Sequence, residues 1–404
     1  MSVSTSTTEL ASELLTYSLQ GRRWPDSLVD QIVSRAVSDD VIEAQAASRA
    51  LFRIVVERLG DLFEPQLTET YVELFSEIVE RVRPEISASQ LRDRYKRIRI
   101  VRPFSGADPK RVYVLSRVTL GADVAVTSVI MDALKRRFPA AEIVFVGSRK
   151  NWALFENDPR VILLESPYGR AGTLADRLHS VPVLDSKDAI VVDPDSRLTQ
   201  LGLLPVCEDD RYYFFESRSY GADSERTLQS LAREWAEKTF GIPDAAAYIA
   251  PVRGAIDAQV TISFGVGDNI EKRIPDPFER RLVEHVVSRA SDVWIDTGTA
   301  GREREQVERV TVGLPVSLWR GDYAPFAARI ASSRIYIGYD SAGQHVAAAC
   351  GVPLVSVFAG FASERMFQRW RPSGRGPIEI VKVVNENPSD VLARTMTAID
   401  GLLN

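Results

Sequence analysis

Four short clusters hold the residues best suited to chemistry. The run Asp340-Ser341-Ala342-Gly343-Gln344-His345 brings a carboxylate, a hydroxyl and an imidazole together, and Ala347-Ala348-Ala349 and Gly351 follow. Small residues after a polar turn favour a helix start. The free N–H groups of Ala342, Gly343 and Gln344 would face any anion placed there, and the helix dipole adds to the attraction. Lys272, in the run Lys272-Arg273-Ile274-Pro275, would meet a phosphate as a point charge. Asp123, in the turn Gly121-Ala122-Asp123, could take a proton from a hydroxyl. Asp193-Pro194-Asp195 offers two carboxylates to a hard cation, with Arg197 just behind. Each also has a plainer reading: Asp340 and Asp123 as helix caps, His345 as a core histidine, Lys272 and Arg197 as solvated charges.

These groups need elements to hold them. Residues 335–337 read as a buried strand, 344–350 as a short helix stopped by Gly351, and 354–358 as a second strand after Pro353. That is a βαβ unit, and ligands bind where its strand ends and its helix begins. Further upstream, strands at 111–116, 142–147, 161–164 and 189–192 alternate with a helix over 123–138, the pattern of a parallel sheet. A short aromatic strand at 212–215, an amphipathic helix at 227–240 and a linker reaching Gly254 close this half. A second alternating set follows: a strand at 259–264, the loop Gly265-Val266-Gly267-Asp268-Asn269, a helix at 277–290, a strand at 293–297, and helices at 302–310 and 325–332.

Residues 8 to about 98 read as entirely helical. Asp39-Asp40 opens a helix whose apolar positions Val41, Ala44, Ala47, Leu51, Ile54, Val55 and Leu59 recur at helical spacing until Gly60. Others span 67–82 and 89–97. Nothing there has the spacing of a nucleophile or a metal ligand, so a scaffold or oligomerisation module is expected.

Composition sets outer bounds. The chain has 404 residues, 45% hydrophobic and 26% charged, with a net charge of −5. This suits a globular protein of two to three domains with no overall field to recruit nucleic acid. Cys207 and Cys350, far apart, read as small buried groups in a reducing compartment. The Ser/Thr-rich start lacks the features of a signal peptide, and no apolar run is long enough to span a bilayer. A cytoplasmic location is expected.

The order Asp340-Ser341, His345, alanine-rich helix, Gly351-Val352-Pro353 resembles the carboxyl-terminal signature of glycosyltransferase family 9, the bacterial heptosyltransferases. There a glycine directly follows Asp-Ser/Thr; here Ala342 holds that slot and Gly343 comes next. Arg117, Asp123, Leu134, Phe138 and Pro139 fall at the offsets of the family's first turn and helix, with Ala122 in place of its glycine. Lys272 and Pro275 match Lys-x-Trp-Pro, with Ile274 for the Trp. The resemblance covers about residues 110–404 and implies an α/β fold of the GT-B type, two Rossmann-like lobes facing a cleft.

On that resemblance, residues 101–250 form the acceptor lobe and 251–385 the nucleotide-sugar lobe. Residues 386–404 form a helix that crosses back to the first lobe, and the helical domain of residues 1–100 is added in front. The family's base corresponds to Asp123. Donor contacts fall to Lys272, Asp340, Ser341, Ala342, Gly343, His345, Gly265 and Glu303, with Glu305 beside it. Acceptor contacts fall to Arg117, Asp193 and Arg197. The implied chemistry is inverting transfer of a sugar, a heptose by precedent, from a nucleotide diphosphate to a hydroxyl. No metal and no cofactor are expected beyond a nucleotide-sugar co-substrate, an ADP-sugar by precedent. The acceptor, whether glycan, protein or small molecule, is left open, and the helical domain is a place for self-association. Arg365, Arg369, Trp370 and Arg371 fit either a phosphate or a domain interface. The alternatives are a nucleotide-sugar epimerase and a catalytically silent paralogue binding a partner through the helical domain. A nicotinamide oxidoreductase ranks low, because neither Gly121-Ala122-Asp123 nor Gly265-Val266-Gly267 gives Gly-x-Gly-x-x-Gly.

Overall fold

A computed structural model describes residues 6–166, 168–169, 172–252, 258–267, 269–298 and 301–403. The expectations for Asp268, for the end of the linker at Gly254 and for the first residues of the chain lie outside the described residues.

The first sheet contains β1 (Arg111–Leu115), β2 (Glu142–Gly147), β3 (Val161–Glu165), β4 (Ala189–Asp193) and β5 (Tyr212–Phe214), all parallel in the order β3-β2-β1-β4-β5. The second contains β6 (Ala258–Ser263), β7 (Val293–Asp296), β8 (Ser317–Trp319), β9 (Ser333–Tyr339), β10 (Leu354–Phe358) and β11 (Ile378–Lys382), in the order β11-β10-β9-β6-β7-β8 and also parallel. Each sheet reverses its strand order once, between β1 and β4 and between β6 and β9. Loops leaving the strand ends part at such a point and open a crevice.

Strand alternation explains the layers of the first lobe. Val112, Val114, Ile143, Phe145, Ile190 and Val192 point to one face and pack on helices Ser128–Arg137 and Leu228–Phe240. Tyr113, Leu115, Val144, Val146, Val191, Tyr212 and Phe214 point to the other and join the core of the amino-terminal helices. Those helices are Thr7–Leu19, Asp26–Ala36, Val41–Ala50, Glu57–Asp61, Pro65–Val82 and Ala88–Ile98, with a π-helical turn at Leu51–Val56. Asp40 caps the third, accepting from the N–H groups of Ile42 and Glu43. The helical region is therefore one layer of the first lobe. Polar ties complete the seam: Tyr71 Oη donates to the Gln200 carbonyl at 2.8 Å, and Arg94 to that of Gly202 at 2.9 Å.

The lobes share a continuous apolar core. Val124 and Val126 of the first cluster with Phe326, Val346 and Ala347 of the second. Arg365, Arg369 and Arg371 belong to this interface, as the second of their two readings held. Arg369 donates to the carbonyls of Ala222, Ser224 and Arg226, Arg365 binds Asp223 and Glu64, and Arg371 reaches the Glu225 carbonyl.

The carboxyl-terminal helix departs from expectation. Pro388–Leu403 lies on the second sheet, with Val391 and Ile399 in its core and Asp400 paired to His285 and Arg289. Its apolar stripe is used on its own lobe, and it does not cross back. Segments that do reach the first lobe are Glu364–Trp370 and the helix Ala342–Cys350.

Candidate active site

A cavity of about 830 Å³ lies where the two crevices face each other. From the first lobe come Arg117, Asp195, Arg197 and Arg218; from the second, Val266, Gly267, Lys272, Asp340, Ser341, Ala342, His345 and Trp370; from the helical layer, Glu57, Gly60, Asp61 and Phe63. Bulky or branched residues rarely take a positive φ. Here Phe63 (57°), Val118 (73°), Asp195 (71°) and Leu201 (58°) all do so, and all line this cavity. Such backbone strain concentrates at functional sites.

Lys272 and Asp340 come from the loops flanking the reversal of the second sheet, and they meet. Lys272 Nζ donates to Asp340 Oδ2 at 2.7 Å and to the Asp340 carbonyl at 3.0 Å. An ammonium has three N–H groups, so one remains for the cavity. Asp340 Oδ1 accepts from Gln344 Nε2, whose own Oε1 accepts from Ser356 at 2.6 Å. The carboxylate is thus no helix cap: the residue in the cap position of Ala342–Cys350 is Ser341, whose side chain makes no capping bond. The helix start keeps its free N–H groups. His345 lines the cavity with its ring 5.9 Å from that of Trp370; burial pushes its pKa down to about 4, so it is neutral.

Two glycines make this corner possible. A β-carbon on Gly343 would stand 2.0 Å from the hydroxyl of Tyr336. One on Gly121 would stand 3.2 Å from the Ala342 α-carbon and from His345 Cδ2, so the first-lobe turn rests directly on the start of helix Ala342–Cys350. Glu303 holds the neighbouring loop, accepting from the N–H groups of Val266 and Gly267 at 3.0 and 3.1 Å. Gly265 belongs to that loop but does not line the cavity, whereas its neighbours Val266 and Gly267 do. Ile274, in the family's Trp slot, is buried in the second-lobe core, and its N–H donates to Tyr339 Oη.

Asp123 does not face the cleft, which corrects the expectation for it. It is 0% exposed, within a π-helical turn at Asp123–Thr127 that follows the short helix Leu120–Ala122. Oδ1 accepts from the Arg117 N–H and Thr127 Oγ1, both at 2.7 Å; Oδ2 accepts from Ser116 Oγ and Asn151 Nδ2, both at 2.6 Å. A carboxylate has about four acceptor sites. All are taken. Burial raises its carboxyl while these four donors pull it back down. Asp123 is a clamp that shapes the turn carrying Gly121.

Asp193, expected at the acceptor, is likewise 0% exposed. It accepts from the Ser196 N–H, Thr199 Oγ1 and Tyr212 Oη, and burial raises its pKa to about 6. Asp195 turns instead to Ser217 at 2.8 Å and to Arg218 at 3.1 Å. The two carboxylates answer different partners and form no pair for a cation. Arg117 and Arg197 do reach the cavity: Arg117 donates to Ser217 Oγ and lies 6.0 Å from the Trp370 ring, and Arg197 pairs with Glu57 at 3.2 Å.

The sequence offered no signal for Glu57, Asp61 or Phe63, because Glu57 lies within, and the other two just after, what reads as an ordinary amphipathic helix. Lys150, Asn151 and Tyr168 also border the cavity or its clamp unannounced by any motif.

Comparison with known proteins bears on this arrangement. Residues 220–387 match the family model "Glycosyltransferase family 9 (heptosyltransferase)". This part of the chain, less than half of it, is similar to a family 9 domain. The match takes in the whole second sheet and the Lys272–Asp340 corner, while β1–β5 and the helical layer fall before it. No curated protein matches the chain. Among solved structures, Escherichia coli heptosyltransferase WaaC with ADP superposes with a TM-score of 0.54 at 13% identity, covering 73% of this chain and 100% of that one. A family 9 glycosyl transferase from Veillonella parvula gives 0.52 at 16%, covering 73% and 97%. The E. coli ADP-heptose lps heptosyltransferase II gives 0.51 at 15%, covering 72% and 98%. At these identities the likeness is one of fold, the two-lobed GT-B architecture, here with an added helical layer. No described helix is long and apolar enough to cross a membrane.

Proposed function

We propose that the protein transfers a sugar from a nucleotide diphosphate to an acceptor hydroxyl, with inversion at the sugar carbon. The observation that carries this reading is the Lys272–Asp340 corner of the region similar to family 9. There a lysine with one N–H to spare and an uncapped helix start face the first lobe's Arg117 and Arg197 across one cavity. The donor diphosphate lies on the helix N–H groups of Ala342 and its neighbours. Lys272 and these preorganised dipoles stabilise its departure. Arg117 and Arg197 orient the acceptor so that its oxygen attacks from the side opposite the diphosphate. No divalent cation is needed in this scheme, since Lys272 and the helix end fill the cationic roles.

WaaC is known with ADP and with an ADP-2-deoxy-2-fluoro heptose, which makes an ADP-sugar the first donor to try. The reducing environment expected for Cys207 and Cys350 accords with a cytoplasmic site of action. The test is a thermal-shift screen against ADP-, GDP-, UDP- and dTDP-sugars, since a ligand that binds only the folded state stabilises it. Mass spectrometry of products with and without acceptor follows. Binding of one donor class and transfer of its sugar support the reading. Donor consumption without any acceptor would instead show an epimerase, and the absence of stabilisation by every donor would sink the donor site.

A further inference from the structure

Four carboxylates line the cavity, and three are answered. Glu57 pairs with Arg197 at 3.2 Å, Asp195 with Arg218 at 3.1 Å and Asp340 with Lys272 at 2.7 Å. The fourth, Asp61, makes no side-chain hydrogen bond or ion pair among the described residues. We infer that Asp61, delivered by the amino-terminal helical layer, is the base that takes the proton of the acceptor hydroxyl. The inference rests on the glycosyl-transfer reading and deepens it.

Placement supports the role. Asp61 lines the same cavity as Arg117 and Arg197 on the acceptor side and Lys272 on the donor side, and their charges act on it. Its position is fixed from both directions along the chain. The π-helical turn Leu51–Val56 comes just before, and such turns recur at functional sites. Just after it, Phe63 sits buried at positive φ with its ring 6.2 Å from that of Trp370, edge to face. Burial raises the Asp61 carboxyl and Glu57 adds to this, while Arg197, Arg117 and Lys272 hold it down. A carboxylate made more basic by burial, with cations beside it, suits proton abstraction.

The step balances. The acceptor O–H proton passes to an Asp61 oxygen and the acceptor oxygen forms its bond to the sugar carbon. The bond from that carbon to the diphosphate breaks, and its electron pair leaves with the diphosphate.

The experiment starts from the full chain with the donor and acceptor found for the wild type. Asp61→Asn is compared for donor affinity, thermal stability, and kcat and KM. The expected result is turnover lowered by roughly 10²–10⁴-fold, with donor affinity and stability close to wild type. Formate should restore part of the activity of Asp61→Ala, and Asp61→Glu should retain more activity than Asp61→Asn. A rise in acceptor KM with kcat unchanged would assign Asp61 to acceptor binding and overturn the inference. Equal loss in all three variants without formate rescue would also overturn it. If the wild type itself transfers no sugar, the functional reading fails first and this one with it.

Discussion

Lys272 and Asp340 close an ion pair of 2.7 Å across the point where the second sheet reverses its strand order. Both side chains are largely buried, so neither can leave without exposing the other's charge to a poor solvent. On the proposed reading, removing the lysine takes away a charged donor to the diphosphate, worth about 1.5–3 kcal/mol. Lys272→Ala should therefore weaken donor binding roughly ten- to a hundred-fold by calorimetry. Asp340→Asn frees the ammonium and should leave affinity equal or tighter. Unchanged donor affinity in Lys272→Ala would remove the pair from the donor site.

Gly343, at the helix start, and Gly265, in the neighbouring loop, should behave unequally. At Gly343 a methyl group would overlap the Tyr336 ring and hydroxyl, at 2.0 to 2.8 Å. At Gly265 the nearest atoms are 3.6 and 3.8 Å away. Gly343→Ala should cost about 1–3 kcal/mol or more in urea unfolding, the range of overpacked sites, and Gly265→Ala under about 0.5 kcal/mol, as at unconstrained positions. Comparable losses would mean that the Tyr336 ring yields easily.

What the sequence revealed, and what it hid, follows burial. β1, β2 and β10 are covered on both faces and so read as nearly continuous apolar runs, broken within only by Ser356. β8 and β11 lie at the edges of their sheet, short and partly exposed, and Glu379 and Lys382 break any pattern in the latter. Residues Lys272 and Asp340 were legible because each sits in a local motif. Asp123 was legible as an acid but not as a saturated one, since its donors Ser116, Thr127 and Asn151 come from three different elements. Asp61 reaches the cleft only because the helical layer replaces one face of the first lobe, and a tertiary arrangement of that kind leaves no mark on local spacing.

Activity should survive chelation. With Asp193 and Asp195 each engaged by its own partners, the diphosphate's charge falls to Lys272 and the helix start. Turnover in EDTA should match that in magnesium. Loss in EDTA with recovery on adding Mg²⁺ or Mn²⁺ would require a cation at the diphosphate and a different mechanism.

Two buried groups tilt stability in opposite directions with pH. His345, held down to about 4, stays neutral in the folded chain, while the unfolded chain takes up its proton below about 6.5. Its contribution is complete above that value and is lost as pH falls toward 4. Asp193, raised to about 6 from 3.8, keeps its proton longer in the folded chain, so its contribution is complete at low pH and is lost as pH rises from 4 to 6. Each shift corresponds to roughly 3 to 3.5 kcal/mol at most. Relative to the wild type, urea midpoints of His345→Gln should climb less between pH 4 and 6.5, and those of Asp193→Asn should climb more between pH 4 and 6. Parallel curves for all three proteins would refute both assignments.

Asp123 provides the sharpest contrast with Asp61. Asn at position 123 keeps the shape of Asp but presents an N–H₂ where an oxygen accepted two hydrogen bonds. If its oxygen stays on the Arg117 N–H, which has no other way to point, the amide faces Ser116 and Asn151. Ser116 can rotate and Asn151 can turn over, yet Ser116 also serves the Val118 N–H at 2.8 Å, so the accommodation is incomplete. One poorly paired buried group costs about 1–3 kcal/mol. Asp123→Asn should thus lower stability by that amount, while folded enzyme below the unfolding range keeps turnover within roughly ten-fold of wild type, about 1.4 kcal/mol in barrier. A base would behave the other way round, with stability near wild type and turnover down by roughly 10²–10⁴-fold. Measuring unfolding and kcat on the same Asp123→Asn and Asp61→Asn preparations separates the two. If Asp123 shows the catalytic pattern and Asp61 the silent one, the turn must open during reaction to release its carboxylate, and the base belongs to the first lobe.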